Sequence, residues 1–137
     1  RAEKRSNMDR KGKGTKHERE LVHMLWREGF ACIRSEGSGS MRHPSPDILG
    51  GNRLRKVGIE CKSSSSDAIY IPTESLEQLK TFCMQFGAEP WVAVRFNSEE
   101  WYLLNPEDIE KTEKSYVISK KRAKEYGLLF EEFVKTE

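Results

Sequence analysis

The hexapeptide Val57-Gly58-Ile59-Glu60-Cys61-Lys62 constrains this chain more than any other segment. Side chains alternate across a β-strand, so Val57, Ile59 and Cys61 share one face while Glu60 and Lys62 share the other. The apolar face demands a core beneath it. The opposite face holds an acid and a base two residues apart, with Gly58 leaving room beside them. Taken alone, a Glu-x-Lys pair is ordinarily the solvated side of a half-buried strand. Two further carboxylates change that reading.

Asp47 begins an extended segment shortly before Gly50-Gly51-Asn52, which reads as a turn. Asp47 and Glu60 are therefore expected on neighbouring strands of one hairpin, where two carboxylates can share a hard cation that prefers oxygen ligands. Glu18 is the third acid. Its helical neighbours at i+3, i+4, i+7 and i+8 are Leu21, Val22, Leu25 and Trp26, which places it in the apolar stripe of a helix. A carboxylate there is costly unless paired or bound to metal. A first-turn acid favoured by the helix dipole is the plainer account of Glu18.

The flanking pattern supplies the rest of the domain. A helix is predicted over residues 15–28, stopped by Gly29, followed by a strand over 30–34 and a Gly/Ser loop over 35–45. Strands follow at 46–49, 55–62 and 68–71, then an amphipathic helix over 73–86 ended by Gly87. Residues 91–96 and 101–104 read as a hairpin, and a helix over 128–135 closes the chain. Without internal repeats, this order predicts one α/β domain over residues 15–137, a central mixed β-sheet flanked by helices. Residues 1–14 read as a flexible basic arm. Met8 reads as the natural start, which makes Arg1–Asn7 an added segment.

Composition limits the function classes. Residues 1–62 carry 15 basic and 8 acidic side chains, residues 63–137 carry 9 and 14. That asymmetry points to a polyanionic partner for the N-terminal half, through Arg10, Lys11, Lys13, Lys16, Arg19, Arg34, Arg42, Arg53 and Arg55. Cys32, Cys61 and Cys83, and likewise the three histidines, lack the spacing of a disulfide framework or a zinc site. No apolar run approaches the roughly 18 residues that span a bilayer, so a cytoplasmic, nucleoid-associated protein is expected.

Phosphodiester hydrolysis asks for a set of this kind. A cation held by Asp47 and Glu60 would activate water and polarise the phosphoryl oxygen. Lys62 would orient that water and offset developing negative charge. Arg34 and loop serines are suited to hold the phosphate.

Pro46-Asp47, twelve further residues, then Glu60-Cys61-Lys62 resembles the signature of restriction-endonuclease-like nucleases. The runs Lys13-Gly14-Thr15-Lys16-His17-Glu18-Arg19-Glu20-Leu21, Gly29-Phe30-Ala31, Arg34-Ser35 and Gly37-Ser38-Gly39-Ser40 are similar to the N-terminal region of archaeal Holliday junction resolvases. Ile69-Tyr70-Ile71, then the span from Phe82 to Gly87 leading to Trp91, continue the likeness. The resemblance implies a restriction-endonuclease-like core and a homodimer that cuts four-way DNA junctions symmetrically with Mg²⁺, Mn²⁺ substituting. It implies metal-site roles for Glu18, Asp47 and Glu60 and a catalytic role for Lys62. It also implies a loop serine at the phosphate, Ser38 with Ser40 as the alternative, and replication or recombination accessory partners. Ser75 stands where relatives often carry glutamine, and Cys61 where Val or Met is more familiar.

Trp91, Phe96, Trp101 and Tyr102 are candidates for an apolar dimer interface, with ordinary core packing as the competing role. Two other readings stand beside the resolvase. One is a restriction or repair endonuclease. The other is a non-catalytic DNA-binding module of the same fold, which predicts loss of an acid or of the lysine.

Overall fold

In a computed structural model, residues 2–35 and 43–135 are described, with side chains from Gly14 onward. Helix α1 (Ala2–Arg27) begins well before residue 15. Lys, Arg, Glu and Met are good helix formers, and Gly12 and Gly14 cost only about 1 kcal/mol each. The helix ends as expected at Gly29, whose φ of 87° lets the Phe30 amide donate back to the Leu25 carbonyl at 3.0 Å.

Strands β1 (Ala31–Arg34), β2 (Ile48–Gly51) and β3 (Lys56–Ser64) form an antiparallel meander. Strand β4 (Ala68–Pro72) and helix α2 (Thr73–Phe86) then cross over to β5 (Glu89–Phe96), which lies parallel to β3. A parallel neighbour needs such a crossover. Strand β6 (Trp101–Leu104) pairs antiparallel with β5, the hairpin expected from the sequence. Residues 105–127 hold elements the sequence reading left unassigned: a 3-10 turn (Pro106–Asp108), β7 (Glu110–Lys111), β8 (Ser115–Ser119) and α3 (Lys120–Tyr126). The expected closing helix is instead a short strand, β9 (Leu128–Leu129), followed by α4 (Phe130–Lys135).

The main sheet is mixed, in the order β1-β2-β3-β5-β6-β9, and β4-β8-β7 form a smaller sheet. Apolar side chains fill both faces of the main sheet. Leu21 and Leu25 of α1 and Phe133 of α4 meet Val57, Ile59, Cys61 and Trp91 on one face. Leu76, Leu79 and Cys83 of α2 meet Val92, Val94 and Phe96 on the other, together with Ile71 and Ile118 of the smaller sheet. Each fully buried leucine or isoleucine contributes roughly 1.5–3 kcal/mol.

Three local expectations are corrected. Gly50 and Gly51 lie inside β2; the turn is at residues 52–55, where the Asn52 side chain accepts from the amides of Leu54 and Arg55, both at 2.8 Å. Gly50 is small because β1 presses on it: an added Cβ would sit 2.7 Å from the Cys32 Cβ. Gly58 does not make room for the acid and base beside it. A Cβ there would meet the Cys83 Sγ at 2.5 Å, so this glycine is where α2 seats on β3. Finally, Trp91, Phe96, Trp101 and Tyr102 are buried in the core of the chain and offer no surface to a second copy.

Candidate active site

The catalytic candidates are gathered by the β2–β3 register. Ile48 pairs with Ile59, so Asp47, the residue entering β2, comes to rest beside Glu60 and Cys61. One Asp47 carboxylate oxygen accepts the Cys61 backbone N–H at 2.8 Å, which fixes the side chain across the strand end. The Glu60 carboxyl lies next to it, close enough for the two groups to influence each other's ionisation. Lys62 Nζ lies 4.0 Å from Glu60 Oε2. Asp47, Glu60 and Lys62 therefore converge, although strand alternation alone puts only the last two on a common face.

Burial raises the Glu60 pKa to about 8, and the Asp47 charge beside it pushes the same way; Lys62 opposes both. Asp47 is also raised, chiefly by burial, against the lowering effect of the Cys61 amide. The physical meaning is that two like charges cannot both stand bare in a desolvated site, so the pair retains a proton.

Glu18 faces this cluster from α1, as its place in the stripe required. Its side chain is only 20% exposed, and Arg34 Nε donates to its Oε1 at 3.3 Å. Its pKa is raised by burial and then by Asp47, while Arg34 and Lys62 lower it. Among the described residues, no three acids, histidines or cysteines stand close enough to cage an ion.

A cleft of roughly 510 Å³ opens over this cluster. Glu18, Asp47, Cys61 and Lys62 line part of it. The rest of the wall was not foreseen from the sequence: His17, Ser63 to Ser65, Asn97, Ser98 and Trp101. His17 is 7% exposed, lies edge-on to Trp101 at 6.2 Å, and its Nδ1 is 3.2 Å from Arg95 Nη1. A signal for it existed, since His17 sits four residues before Leu21 and eight before Leu25, the two fully buried residues of the stripe. Trp26, assigned to that stripe, is instead 55% exposed and donates to the Cys32 carbonyl.

The candidate DNA contacts divide into three groups. Lys16 and Arg19 are exposed on α1, and Arg53 is exposed in the 52–55 turn, at the opposite end of the β2–β3 hairpin from Asp47. Arg55 is a correction. It is 7% exposed, makes two 2.9 Å contacts with Glu89, donates to the Phe133 carbonyl at 2.7 Å and lies over the Phe30 and Phe133 rings. Its guanidinium is buried and tied to Glu89 and to the Phe133 carbonyl of α4, so it is not placed to reach a phosphate. Ser38, Ser40 and Arg42, and the side chains of Arg10, Lys11 and Lys13, lie outside the described residues. Ser35 and Ser45 are held near the cluster: Ser35 N donates to the Asp47 carbonyl at 2.9 Å, and the Ser35 and Ser45 hydroxyls are 3.0 Å apart.

A mixed sheet with an acid entering one strand and a Glu-x-Lys on the next has the restriction-endonuclease-like fold. Residues 8–137 match the archaeal Holliday junction resolvase family (Hjc), and the chain belongs to that family. A crossover junction endodeoxyribonuclease Hjc of Archaeoglobus fulgidus is 41% identical over 108 residues, 79% of each chain. One of Methanocaldococcus jannaschii is 38% identical over 109 residues, covering 80% of this chain and 77% of that one. The solved structure of Archaeoglobus fulgidus Hjc, a Holliday junction resolvase from an archaeal hyperthermophile, superposes with a TM-score of 0.83. It is 36% identical and covers 88% of this chain and 99% of its own.

Proposed function

We propose that this protein is a structure-selective endonuclease that resolves four-way DNA junctions by metal-dependent, symmetric phosphodiester hydrolysis. The single observation that supports this most is the convergence of Asp47, Glu60 and Lys62 at one cleft, on the fold of a family named for junction resolution.

The pair suits a hard divalent cation. Two desolvated carboxylates with raised pKa values carry one proton where a cation with oxygen preference would fit as well. Bound there, Mg²⁺ or Mn²⁺ would neutralise phosphate charge and lower the pKa of a water at the site. Asp47 and Glu60 would hold it, and Glu18 would join once freed from Arg34. Asp47 is kept aimed by the Cys61 amide, so its position does not depend on the ion. Lys62, partly exposed at the cleft, would orient the attacking water and face the charge that builds on phosphorus. Arg34, released when Glu18 turns away, would meet the scissile phosphate along with Ser38.

Two symmetric cuts across a two-fold junction need two active sites at fixed separation, which a homodimer supplies. The basic arm would follow the DNA backbone, and loading by recombination or replication proteins is compatible with an intracellular, nucleoid-associated role. No helix among the described residues is long and apolar enough to cross a membrane.

The test uses labelled four-way, duplex and single-stranded DNA with Mg²⁺ or with EDTA. Paired nicks confined to the four-way substrate and absent under chelation are expected. Equal cutting of duplex DNA would favour a restriction or repair enzyme, and junction binding without cutting in either metal would favour a non-catalytic module.

A further inference from the structure

Beside Glu18, Asp47 and Lys62, the cleft has a stretch of wall with a different chemistry. It is built from two segments laced together: the Asn97 amide donates to the Ser64 carbonyl at 2.8 Å, joining the end of β3 to the β5–β6 turn. Ser64 is consumed within its own loop, since its hydroxyl accepts the Ser66 amide and contacts the Ser66 hydroxyl. Ser65, Asn97 and Ser98 are different. They line the cleft, their side chains are exposed, and they make no side-chain hydrogen bond among the described residues.

The turn is also held in an uncommon backbone. Asn97 and Ser98 both have positive φ, 52° and 57°, and Glu99 N donates to the Phe96 carbonyl, which makes a type I′ turn. Glycine at the second central position is the usual choice for that turn; here a hydroxyl stands there and faces the cleft. Behind them Trp101 lines the same wall. It is 2% exposed, and its indole N–H finds no acceptor among the described residues. A buried donor without an acceptor is costly, and an oxygen supplied by a ligand or an ordered water relieves it.

We propose that Ser65, Asn97 and Ser98, backed by Trp101, form a subsite for the phosphodiester next to the scissile one on the cut strand. The subsite rests on the nuclease reading above, because it is defined by its distance along the same strand from the Asp47–Glu60 end. Neutral donors suit this task. They hold a phosphate through hydrogen bonds without placing a second cation beside Lys62, so they fix the register of the strand and leave the charge gradient directed at the catalytic end. Among the described residues the carboxylates that line the cleft are Glu18 and Asp47 of the catalytic cluster, and Ser65, Asn97 and Ser98 add no negative charge of their own.

The experiment compares wild-type protein with Ser65→Ala/Asn97→Gly/Ser98→Gly in Mg²⁺. Four-way junctions carry a single methylphosphonate at each phosphate flanking the cut site in turn. Glycine accepts positive φ freely, so the turn should survive, as a matching thermal transition would show. Wild type is expected to lose about tenfold in kcat/KM on one flanking methylphosphonate, the effect of one or two hydrogen bonds. The triple variant should show a similar rise in KM on unmodified DNA, kcat within about twofold, and no further loss on the modified strand. Trp101→Phe, which keeps a ring and removes the donor, should shift KM in the same direction.

An equal methylphosphonate penalty in wild type and variant, or no penalty in wild type, overturns the subsite while leaving the nuclease standing. Wild type that fails to cut the unmodified junction in Mg²⁺ overturns both. If the triple variant unfolds, Ser65→Ala alone carries the same comparison, and an undiminished methylphosphonate penalty there likewise overturns the subsite.

Discussion

Two buried charge clusters lie along β3, one just before its first residue and one at its middle, and they are built on opposite terms. At the start of the strand Arg55 meets Glu89 through two 2.9 Å contacts and hands a third donor to the Phe133 carbonyl. The Glu89 pKa is lowered, first by the Arg55 hydrogen bond, so both partners are held in their charged forms. Further along the strand Asp47 and Glu60 are pressed together; burial raises both, and the Asp47 charge raises Glu60 further. Lys62 opposes the rise in both, the Cys61 amide and Arg34 oppose it at Asp47, and Glu60 is still pushed to about 8. A buried charge with matched partners is structure. A buried charge whose partners fall short is held for a ligand, and strain of this kind is tolerated where function requires it.

The comparison breaks if the two clusters respond alike to substitution. The largest separation is expected for Asp47→Asn and Glu60→Gln. Each should lower the cleavage rate by about a thousandfold or more, since several kcal/mol of transition-state stabilisation pass through the site. Junction affinity and the unfolding midpoint should hold or improve, because removing one of two repelling acids relieves the fold. Wild-type-like cutting by either variant would remove both from the catalytic set.

Arg55→Ala should do the reverse. Its loss strands Glu89 and the Phe133 carbonyl and should cost about 2–3 kcal/mol by urea unfolding, below the full buried-pair value because the Glu89 side chain is 39% exposed. Cleavage per folded molecule should be unchanged. A variant of normal stability and weak DNA binding would return Arg55 to the DNA-contact set.

Glu18→Gln sharpens the border between the two clusters, since Glu18 has one partner, Arg34, and a raised pKa despite it. Cleavage should drop about tenfold to a hundredfold, the range for one general catalytic contact, with unfolding changed by less than about 1 kcal/mol. A large loss of stability with normal specific activity would assign Glu18 to the fold.

The smallest effect is in pH. The folded pKa of Glu60, about 8, lies above the ordinary carboxylate value of 4.5. Its contribution to stability is therefore complete below about pH 4.5 and is lost as pH rises through about 8. In EDTA the wild-type midpoint should fall across that window relative to Glu60→Gln, which cannot ionise, and Mg²⁺ should flatten the difference. Parallel curves for the two proteins in EDTA would mean that Glu60 is charged and satisfied in the fold.

Much of this molecule was readable from local pattern. The core-facing alternation of Val57, Ile59 and Cys61, the Gly29 and Gly87 helix stops and the β5–β6 hairpin all follow from periodicity or turn chemistry. The missed stretch at 105–127 had weaker signals. In β8 only Tyr116 and Ile118 alternate inward amid charge, and α3 buries Ala123 alone, its start marked mainly by Ser119 accepting the Arg122 amide at 3.0 Å. For the site, Asp47, Glu60 and Lys62 were legible because strand pairing is nearly local. Ser65, Ser98 and Trp101 were not, since loops and a core tryptophan resemble many others until the chain folds over itself.

By itself the sequence determined which residues could carry chemistry and which faces had to be buried, because alternation and helical stripe depend only on nearest neighbours. Tertiary structure alone decided what became of each charge. Arg34 and Arg55 are indistinguishable as letters, yet one is set beside an acid at the cleft and the other is sealed between two rings. Desolvation and long-range contact set that difference, and neither is a property of a short stretch of chain.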